Sequence, residues 1–299
     1  MEYYSLNQYL KDIFGCKVYK IALDGGFTCP NRDGSLETRG CIFCSGKGSG
    51  NFAQPLVVDE RGIPDVVSQI EAGKLRVSSK NPSGKYIAYF QSFTGTYAPV
   101  SYLRQVFTQA IEHPDIVALS VGTRPDCLPQ DVIELLQELN KKKPVWVELG
   151  LQTIHEKTAE YIRRGYSLPV FDDAVKRLRE AGMEVVVHCI LGLPHETRDM
   201  MKETVAYVGK SGAQGIKLQL LHVLKGTDLE QEYLAGKFTT MEMEEYVSLV
   251  AECISLLPKD MVIHRMTGDG DKRELIAPLW STDKKRVLNA LQKAIRDVK

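Results

Sequence analysis

The sequence predicts an α/β protein built as a partial (β/α)6 TIM-like barrel, with a C-terminal extension covering the open side. Six short apolar runs rich in Val, Ile, Leu and Tyr alternate with segments of helical periodicity, as parallel strands joined by crossover helices require. The first run does not lead directly into a glycine-rich dinucleotide turn, which favours a barrel over a doubly wound sheet. Six units are fewer than the eight of a closed barrel.

The chain opens with an amphipathic segment that predicts a helix. The predicted strands follow at residues 17–23, 85–91, 115–122, 144–150, 184–191 and 215–221. Helices with Pro near their starts or Gly near their ends are predicted at residues 99–113, 128–140, 169–182 and 196–212. After the sixth strand the pattern changes to two helices, a strand at 260–266, a Gly/Asp-rich turn and an amphipathic helix. We therefore expect a barrel at 1–224 and an extension at 225–299.

Composition excludes several classes of protein. Apolar residues make up 43% and charged residues 25% of the 299 residues, which is ordinary for a globular protein. No apolar run approaches the roughly eighteen residues of a membrane span, and the N-terminus does not resemble a signal peptide. We therefore expect a cytoplasmic protein with no membrane partner. Lys plus Arg equals Asp plus Glu at 38 each, so RNA binding would depend on local basic patches.

The most informative segment is a polar, glycine-rich loop after the first strand, which holds Cys29, Cys41 and Cys44. In a reducing compartment, clustered cysteines favour metal or catalytic chemistry over disulfides. Three thiolates on a cubane iron–sulfur cluster leave one iron without a protein ligand, whereas a structural zinc takes four ligands. The alternative is a zinc site that recruits Cys16, although the first strand separates Cys16 from the loop. We interpret the remaining cysteines as small buried hydrophobes: Cys127, Cys189 and Cys253.

The loop, its place after the first strand and the alternation of six units resemble the radical S-adenosylmethionine (SAM) superfamily. Eleven residues separate the first two cysteines, where the superfamily commonly has three. This longer loop, with the segments GFTCPNRDG and GTRPDCLP, is similar to the YhcC/YtqA (MnmL-like) branch, a relative of the radical domain in the Elongator catalytic subunit. The resemblance implies a [4Fe-4S] cluster on the three cysteines, SAM at its open iron, and a 5′-deoxyadenosyl radical that abstracts hydrogen from a substrate.

The same resemblance, together with residue chemistry, assigns cofactor contacts to the ends of the predicted strands. They are Phe43, Ser92, Phe93, Thr94, Glu148, Gln152, Arg164, Gly192 and His222. We expect Arg164, with Arg163 as the alternative, to pair with the SAM carboxylate. Glu148 and Gln152 suit ribose hydroxyls, although a buried Glu paired with a structural Arg remains the other reading of Glu148. The resemblance places segment 92–94 at the methionyl amine, and the Gly192 and His222 segments beside adenine.

The branch implies a tRNA substrate, with conversion of 5-carboxymethylaminomethyl-uridine to 5-aminomethyl-uridine at the wobble position. A flavodoxin or ferredoxin is the implied electron donor. Two alternatives remain open: a radical enzyme acting on a small metabolite, and a non-enzymatic zinc-binding adaptor. Basic side chains in the extension are the candidate RNA contacts: His264, Arg265, Lys272, Arg273, Lys284, Lys285 and Arg286.

Overall fold

The computed structural model describes residues 2–48, 50, 52–81, 83–268 and 270–297. The strands are β1 (Tyr19–Leu23), β2 (Tyr86–Phe90), β3 (Ile116–Thr123), β4 (Val145–Gln152), β5 (Glu184–Leu191), β6 (Gly215–Leu220), β7 (Val223–Leu224), β8 (Val262–Arg265) and β9 (Leu275–Ala277). Within the described residues, seven parallel strands form a curled half-barrel in the order β1-β2-β3-β4-β5-β6-β8. The short strands β7 and β9 form a separate antiparallel pair.

Helices cover the outer face of this sheet and close its amino-terminal end. They are α1 (Leu6–Phe14), α2 (Val66–Val77), α3 (Val100–Glu112), α4 (Gln130–Asn140), α5 (Glu156–Tyr161), α6 (Leu168–Glu180), α7 (Arg198–Lys210), α8 (Asp228–Leu234), α9 (Met243–Ser255) and α10 (Lys284–Asp297). Prolines mark several helix starts, as the sequence predicted: Pro99 and Pro129 occupy the N-cap positions of α3 and α4.

The predicted partial barrel is confirmed, and one strand extends it. All six predicted runs are strands of the main sheet. The run expected within the extension, β8, adds a seventh parallel strand beside β6, with Gly215 opposite Val262 and Ile216 opposite Ile263. An apolar run next to an open parallel edge gains ladder hydrogen bonds and burial by joining that edge.

Among the residues that the structure describes, three apolar clusters hold the fold together. The largest fills the space between the sheet and its helices, with fully buried side chains such as Phe90, Phe107 and Phe171. A second cluster, which includes Trp146, lies against α1 at the amino ends of the strands. The third joins the cysteine loop to the carboxyl ends of the strands, and its members are Ile42, Ile162, Ile190, Leu193, Leu221, Val223, Leu229 and Ala277. This third cluster fixes the loop against the rim of the barrel.

In the described residues, no helix combines the length and the apolar character that crossing a lipid bilayer requires.

Candidate metal and cofactor site

The cysteine loop follows β1 and is folded by its own polar side chains. The Cys29 carbonyl accepts a hydrogen bond from the Arg32 amide at 2.8 Å, and the Cys41 carbonyl accepts one from the Cys44 amide at 3.0 Å. Arg32 Nη2 donates to the carbonyl oxygens of Cys44 at 2.8 Å and Ser45 at 2.7 Å. These bonds hold all three cysteines on one short stretch of irregular backbone.

Asn31 connects this loop to the segment after β4. Its Nδ2 donates to the Arg163 carbonyl at 2.7 Å and lies 3.4 Å from the Cys41 sulfur. Gly40 adopts a positive φ of 76°, and a Cβ atom there would lie 2.9 Å from Arg32 Nε. Glycine is therefore required at the turn that brings Cys41 beside Cys29.

Two of the three thiols, those of Cys41 and Cys44, are withdrawn from solvent. Burial raises the pKa of the Cys41 thiol to about 11, with further contributions from the neighbouring Cys44 and Cys29. The pKa of Cys44 is also raised, chiefly by burial. A buried thiol with a raised pKa stays protonated until a cationic metal centre binds and stabilises the thiolate. Binding of such a centre would therefore release protons from Cys41 and Cys44.

The spacing of the sulfurs argues against a single zinc ion. Sulfurs bound to one tetrahedral zinc lie about 3.8 Å apart, given a Zn–S distance of about 2.3 Å. The described residues hold one trio of ligand atoms within 4.8 Å of one another, and it consists of Glu71, His113 and Asp115 rather than the three cysteines. Cys16 belongs to the apolar cluster at the opposite end of the strands. At least one pair of the three cysteine sulfurs therefore lies more than 4.8 Å apart, which is wider than the separation around one zinc ion and is compatible with a multi-iron centre.

A cleft opens from the three thiols into the barrel. It encloses about 970 Å³, counting its open mouth, and continues into a second space of about 800 Å³. The predicted residues that line the first space are Cys29, Cys41, Phe43, Cys44, Phe93, Thr94, Glu148, Gln152 and Arg164. His222 lines the second space, as do Phe43, Cys44 and Gln152. The structure thus brings these ten residues together around one cleft.

Two predicted contacts lie elsewhere. Ser92 is buried under the cysteine loop, where a Cβ atom on Gly50 would lie 2.2 Å from its Oγ. Gly192 packs against Met241 and Leu221, and lines a separate surface pocket. Neither residue lines the cleft, and their contact with the cofactor stays a prediction. The Ser92 Oγ atom is buried and has no hydrogen-bond partner among the described residues.

Two residues at strand ends adopt strained backbone conformations beside the thiols. Phe93 after β2 has φ 57°, and Gln152 at the end of β4 has φ 68°. Such left-handed conformations are uncommon for residues other than glycine and concentrate at functional sites. The Gln152 Oε1 atom is buried and accepts no hydrogen bond from the described residues. This orphaned acceptor suits a ligand hydroxyl or amine in the cleft.

Arg164 is held tightly by protein groups. It is 2% exposed, donates from Nη1 to the Thr153 carbonyl at 2.6 Å and from Nε to the Tyr166 carbonyl at 2.9 Å, and approaches Glu156 at 3.3 Å. Its alternative, Arg163, pairs with Asp228 at 2.6 Å. Arg164 thus anchors the segment after β4, and its predicted role at the SAM carboxylate remains a prediction.

Glu148 lies inside the barrel with no exposed surface. Its Oε1 accepts from Lys20 at 2.5 Å and Ser120 at 2.7 Å, and its Oε2 accepts from Tyr89 at 2.8 Å, from His188 at 2.7 Å and from Lys217. Despite the opposing effect of burial, the cations Lys20 and Lys217 hold the pKa of Glu148 well below its usual range. A carboxylate has about four acceptor positions, so these donors saturate it. The cationic partners are lysines, whereas the alternative reading of Glu148 had a structural arginine.

Sequence reasoning missed several side chains that line the cleft. They are Tyr89, Gln91, Arg124, Tyr166, His188, Gln219 and Arg265. Arg124 forms a bidentate pair with Asp126 and stacks 5.3 Å from the Tyr166 ring centre. Except for Tyr166, which follows α5, each of these residues stands in or directly after an apolar run, as Glu148 does.

Comparison with known proteins gives consistent matches. Residues 37–208 match the Radical SAM superfamily and residues 213–297 match the Radical_SAM C-terminal domain. The chain is 46% identical over 295 residues to the uncharacterized protein YtqA of Bacillus subtilis, covering 99% of this chain and 90% of that one. It is 37% identical over 268 residues to protein YhcC of Escherichia coli K12, covering 89% and 84%.

A solved structure shares the fold. The archaeal Elp3 of Methanocaldococcus infernus superimposes with a TM-score of 0.67 at 19% identity, covering 92% of this chain and 63% of that one.

Proposed function

The chain belongs to the radical SAM superfamily, and we propose that it is a radical enzyme with a [4Fe-4S] cluster on Cys29, Cys41 and Cys44 and with SAM in the adjoining cleft. The observation that carries this proposal is the position of three cysteines on one rim loop, all of which line the barrel cleft. When bound, the two groups supply a 5′-deoxyadenosyl radical that removes a hydrogen atom from a substrate.

The chain's own residues position these groups and limit side reactions. Asn31 and Arg32 order the loop that presents the thiols. Phe43 and Phe93 supply apolar walls beside the cysteines, and the Gln152 amide is available to a polar ligand group. Enclosure by the barrel excludes the water and side chains that would quench a carbon radical.

For the electron source, we propose a flavodoxin or a ferredoxin in the cytoplasm. Reduction of a cluster of this type needs a low-potential, one-electron donor. Arg39 and Lys47 stand on the cysteine loop with side chains that are 64% and 60% exposed. Arg39 pairs with Glu37 at 3.9 Å and Asp228 at 3.6 Å, and Lys47 pairs with Glu274 at 3.6 Å, so an anionic carrier would compete with these exposed ion pairs.

For the substrate, we propose the tRNA wobble uridine carrying a 5-carboxymethylaminomethyl group, which the enzyme converts to 5-aminomethyl. Support comes from relatives. The tRNA uridine(34) acetyltransferase of Methanocaldococcus jannaschii is 26% identical over 168 residues, covering 55% of this chain and 30% of that one. Human Elongator complex protein 3 is 24% identical over 177 residues, covering 58% and 30%.

The proposed reaction removes the glycine-like end of the side chain. Loss of a hydrogen atom from the carbon between nitrogen and carboxylate, followed by loss of one electron and the N–H proton, leaves a C=N double bond. The electron passes to an acceptor of the iron–sulfur or flavin class. Water then adds to the double bond, and the C–N bond breaks to release the aminomethyl uridine and glyoxylate.

The candidate RNA contacts fall into two groups. His264 packs edge-on against Trp146 inside the barrel, and Arg265 lines the cleft, so these two cannot form an outer RNA surface as expected. Arg273 and Arg286 are exposed at 85% and 62%. The first turn of α10 carries three basic residues, 284–286. Their positive charges lie at the positive end of the helix dipole, and a bound phosphate would offset this repulsion.

Mass spectrometry of nucleosides from a deletion strain tests the substrate. We expect the carboxymethylaminomethyl nucleoside to accumulate and the aminomethyl nucleoside to disappear. A plasmid with the natural gene should restore the pattern, and one with Cys44→Ala should not. An unchanged nucleoside profile in the deletion strain would refute the tRNA substrate.

A further inference from the structure

The interior of the barrel is built in layers, because alternate side chains of each strand share one face. In one layer, Tyr89 of β2, Glu148 of β4 and Lys217 of β6 meet. The Tyr89 hydroxyl donates to Glu148 Oε2 at 2.8 Å and accepts from Lys217 Nζ at 2.9 Å, and Lys217 also donates to Glu148. Side chains from β2 and β6 therefore reach each other across the barrel, and the polar groups of this layer pair with one another.

The next layer towards the cysteine loop is different. Two residues beyond Tyr89 and Lys217 stand Gln91, directly after β2, and Gln219, in β6. Both side chains are half-buried and line both parts of the cleft. Their amide groups make no hydrogen bond with any residue that the structure describes. We call Gln91 and Gln219 the amide pair.

The chemistry of the amide pair limits what it can bind. A carboxamide has one acceptor oxygen and two N–H donors, and it carries no charge. A ligand that fills the cleft removes water from these groups, which costs free energy unless the ligand supplies both donors and acceptors. Phe43, Ile190 and Leu221 line the second part of the cleft with the amide pair and supply apolar contacts for a flat ring. A neutral ring with a donor–acceptor edge fits these walls.

We propose that the amide pair binds the imide edge of a uracil ring in the second part of the cleft. An Oε1 atom of the pair accepts from the uracil N3–H, and the Nε2 groups donate to O2 and O4. This proposal rests on the proposed function, in which the substrate is a wobble uridine. It places the ring on the side of the cleft that Cys44 also lines. A base turned out of the anticodon stack is bound at its Watson–Crick edge in this way.

The first test measures binding of anticodon stem–loop RNAs to protein loaded with cluster and SAM. One RNA carries the 5-carboxymethylaminomethyl uridine, and the other carries the same uridine methylated at N3. We expect natural protein to bind the first about tenfold or more tightly, because the methyl group replaces the N3–H donor. Gln91→Leu and Gln219→Leu should each weaken binding of the first RNA about three- to tenfold. The control Gln105→Leu, exposed on the outer helix α3, should leave both affinities unchanged.

The second test looks for a gain of binding, so it stays informative where a leucine variant does not fold. A carboxylate only accepts hydrogen bonds, so Gln→Glu loses the contacts to the uracil carbonyls and can accept from the exocyclic amine of cytosine. Two otherwise unmodified stem–loops carry uridine or cytidine at the wobble position. At least one of Gln91→Glu and Gln219→Glu should shift the ratio of the two affinities about tenfold towards cytidine.

A third measurement separates failure of the amide pair from failure of the tRNA substrate. Equilibrium dialysis against the loaded protein compares uridine with N3-methyluridine as free nucleosides. Preferential retention of uridine by protein that binds no stem–loop supports the amide pair and refutes the tRNA substrate. Stem–loop binding that N3 methylation and all four variants leave unchanged overturns the amide pair and leaves the tRNA substrate standing. A tenfold loss of SAM affinity in a leucine variant whose RNA binding is unchanged also overturns the proposal, because the amide would then hold the cofactor.

Discussion

Replacing Glu148 by Gln removes the charge at the centre of the barrel while keeping the side-chain shape. The carboxylate has no exposed surface and accepts hydrogen bonds from Lys20 at 2.5 Å and His188 at 2.7 Å, and from Lys217. The amide keeps one acceptor oxygen and turns an NH₂ group towards these donors. The ammonium groups of the buried Lys217 and the half-buried Lys20 would then lack a counter-charge.

The expected cost is large because an uncompensated buried charge is expensive. Removing one partner of a buried ion pair costs about 3–5 kcal/mol. For a chain of this size the melting temperature should fall by roughly 10 °C. The double variant with Lys217→Met should recover part of this loss, since it removes one of the stranded charges.

The effect should depend on pH in a defined direction. The folded-state pKa of Glu148 is lowered, so its contribution is present above the unfolded value of 4.5 and is lost as pH falls through the folded pKa. Urea unfolding followed by circular dichroism at pH 7 and at pH 4 measures both effects.

The matched control is Glu138→Gln, which alters an exposed pair with Arg104. Glu148→Gln should destabilise the protein far more than this control at pH 7. Equal unfolding midpoints for the two variants would refute the argument that Glu148 neutralises the interior lysines.

Three further predictions concern other parts of the molecule. Cys44→Ala should lower the iron content of anaerobically purified protein from about four atoms per chain to below one, and retention of a full cluster would show that Cys44 is not a ligand. His188→Gln should reduce the loss of stability as pH falls from 6.5 towards 4, because the folded-state pKa of His188 is lowered to about 4; unfolding curves that match the natural protein at each pH would contradict this. Gly73→Ala should lower the free energy of unfolding by about 1–2 kcal/mol, because the new Cβ would lie 2.3 Å from Ile21 Cγ2 and the cost of overpacking exceeds the gain in helix propensity. Urea unfolding measures this, and an unchanged midpoint would show that α2 can shift to make room.

The alternation of apolar runs with helical segments was sufficient to predict the barrel. It could not show that β8 completes the sheet beside β6, since strand order depends on pairing between distant segments. The helix α2 was also missed, because its apolar positions do not form a strong stripe.

Within the site, the alternation of side chains along a strand predicted the cleft-lining residues better than position in a loop did. Glu148 and Gln152 share one face of β4, and both line the cleft. Beyond a strand end, side-chain direction depends on individual φ and ψ values. Phe93, with its positive φ, lines the cleft, whereas its neighbour Ser92 does not.

The polar interior was the largest omission. Lys20, His188 and Lys217 interrupt apolar strands just as Glu148 does, and a buried charge needs a partner nearby. Together with Glu148, these three residues are sufficient to predict an ion-pair network inside the barrel.

Electron–nuclear double resonance of the reduced protein, with SAM labelled by ¹⁵N at its amine and ¹⁷O at its carboxylate, tests the central claim most directly. We expect hyperfine coupling from both labels to a [4Fe-4S] cluster, because one iron has no cysteine ligand. A cluster without coupling to either label, or colourless protein with one zinc per chain, would contradict it.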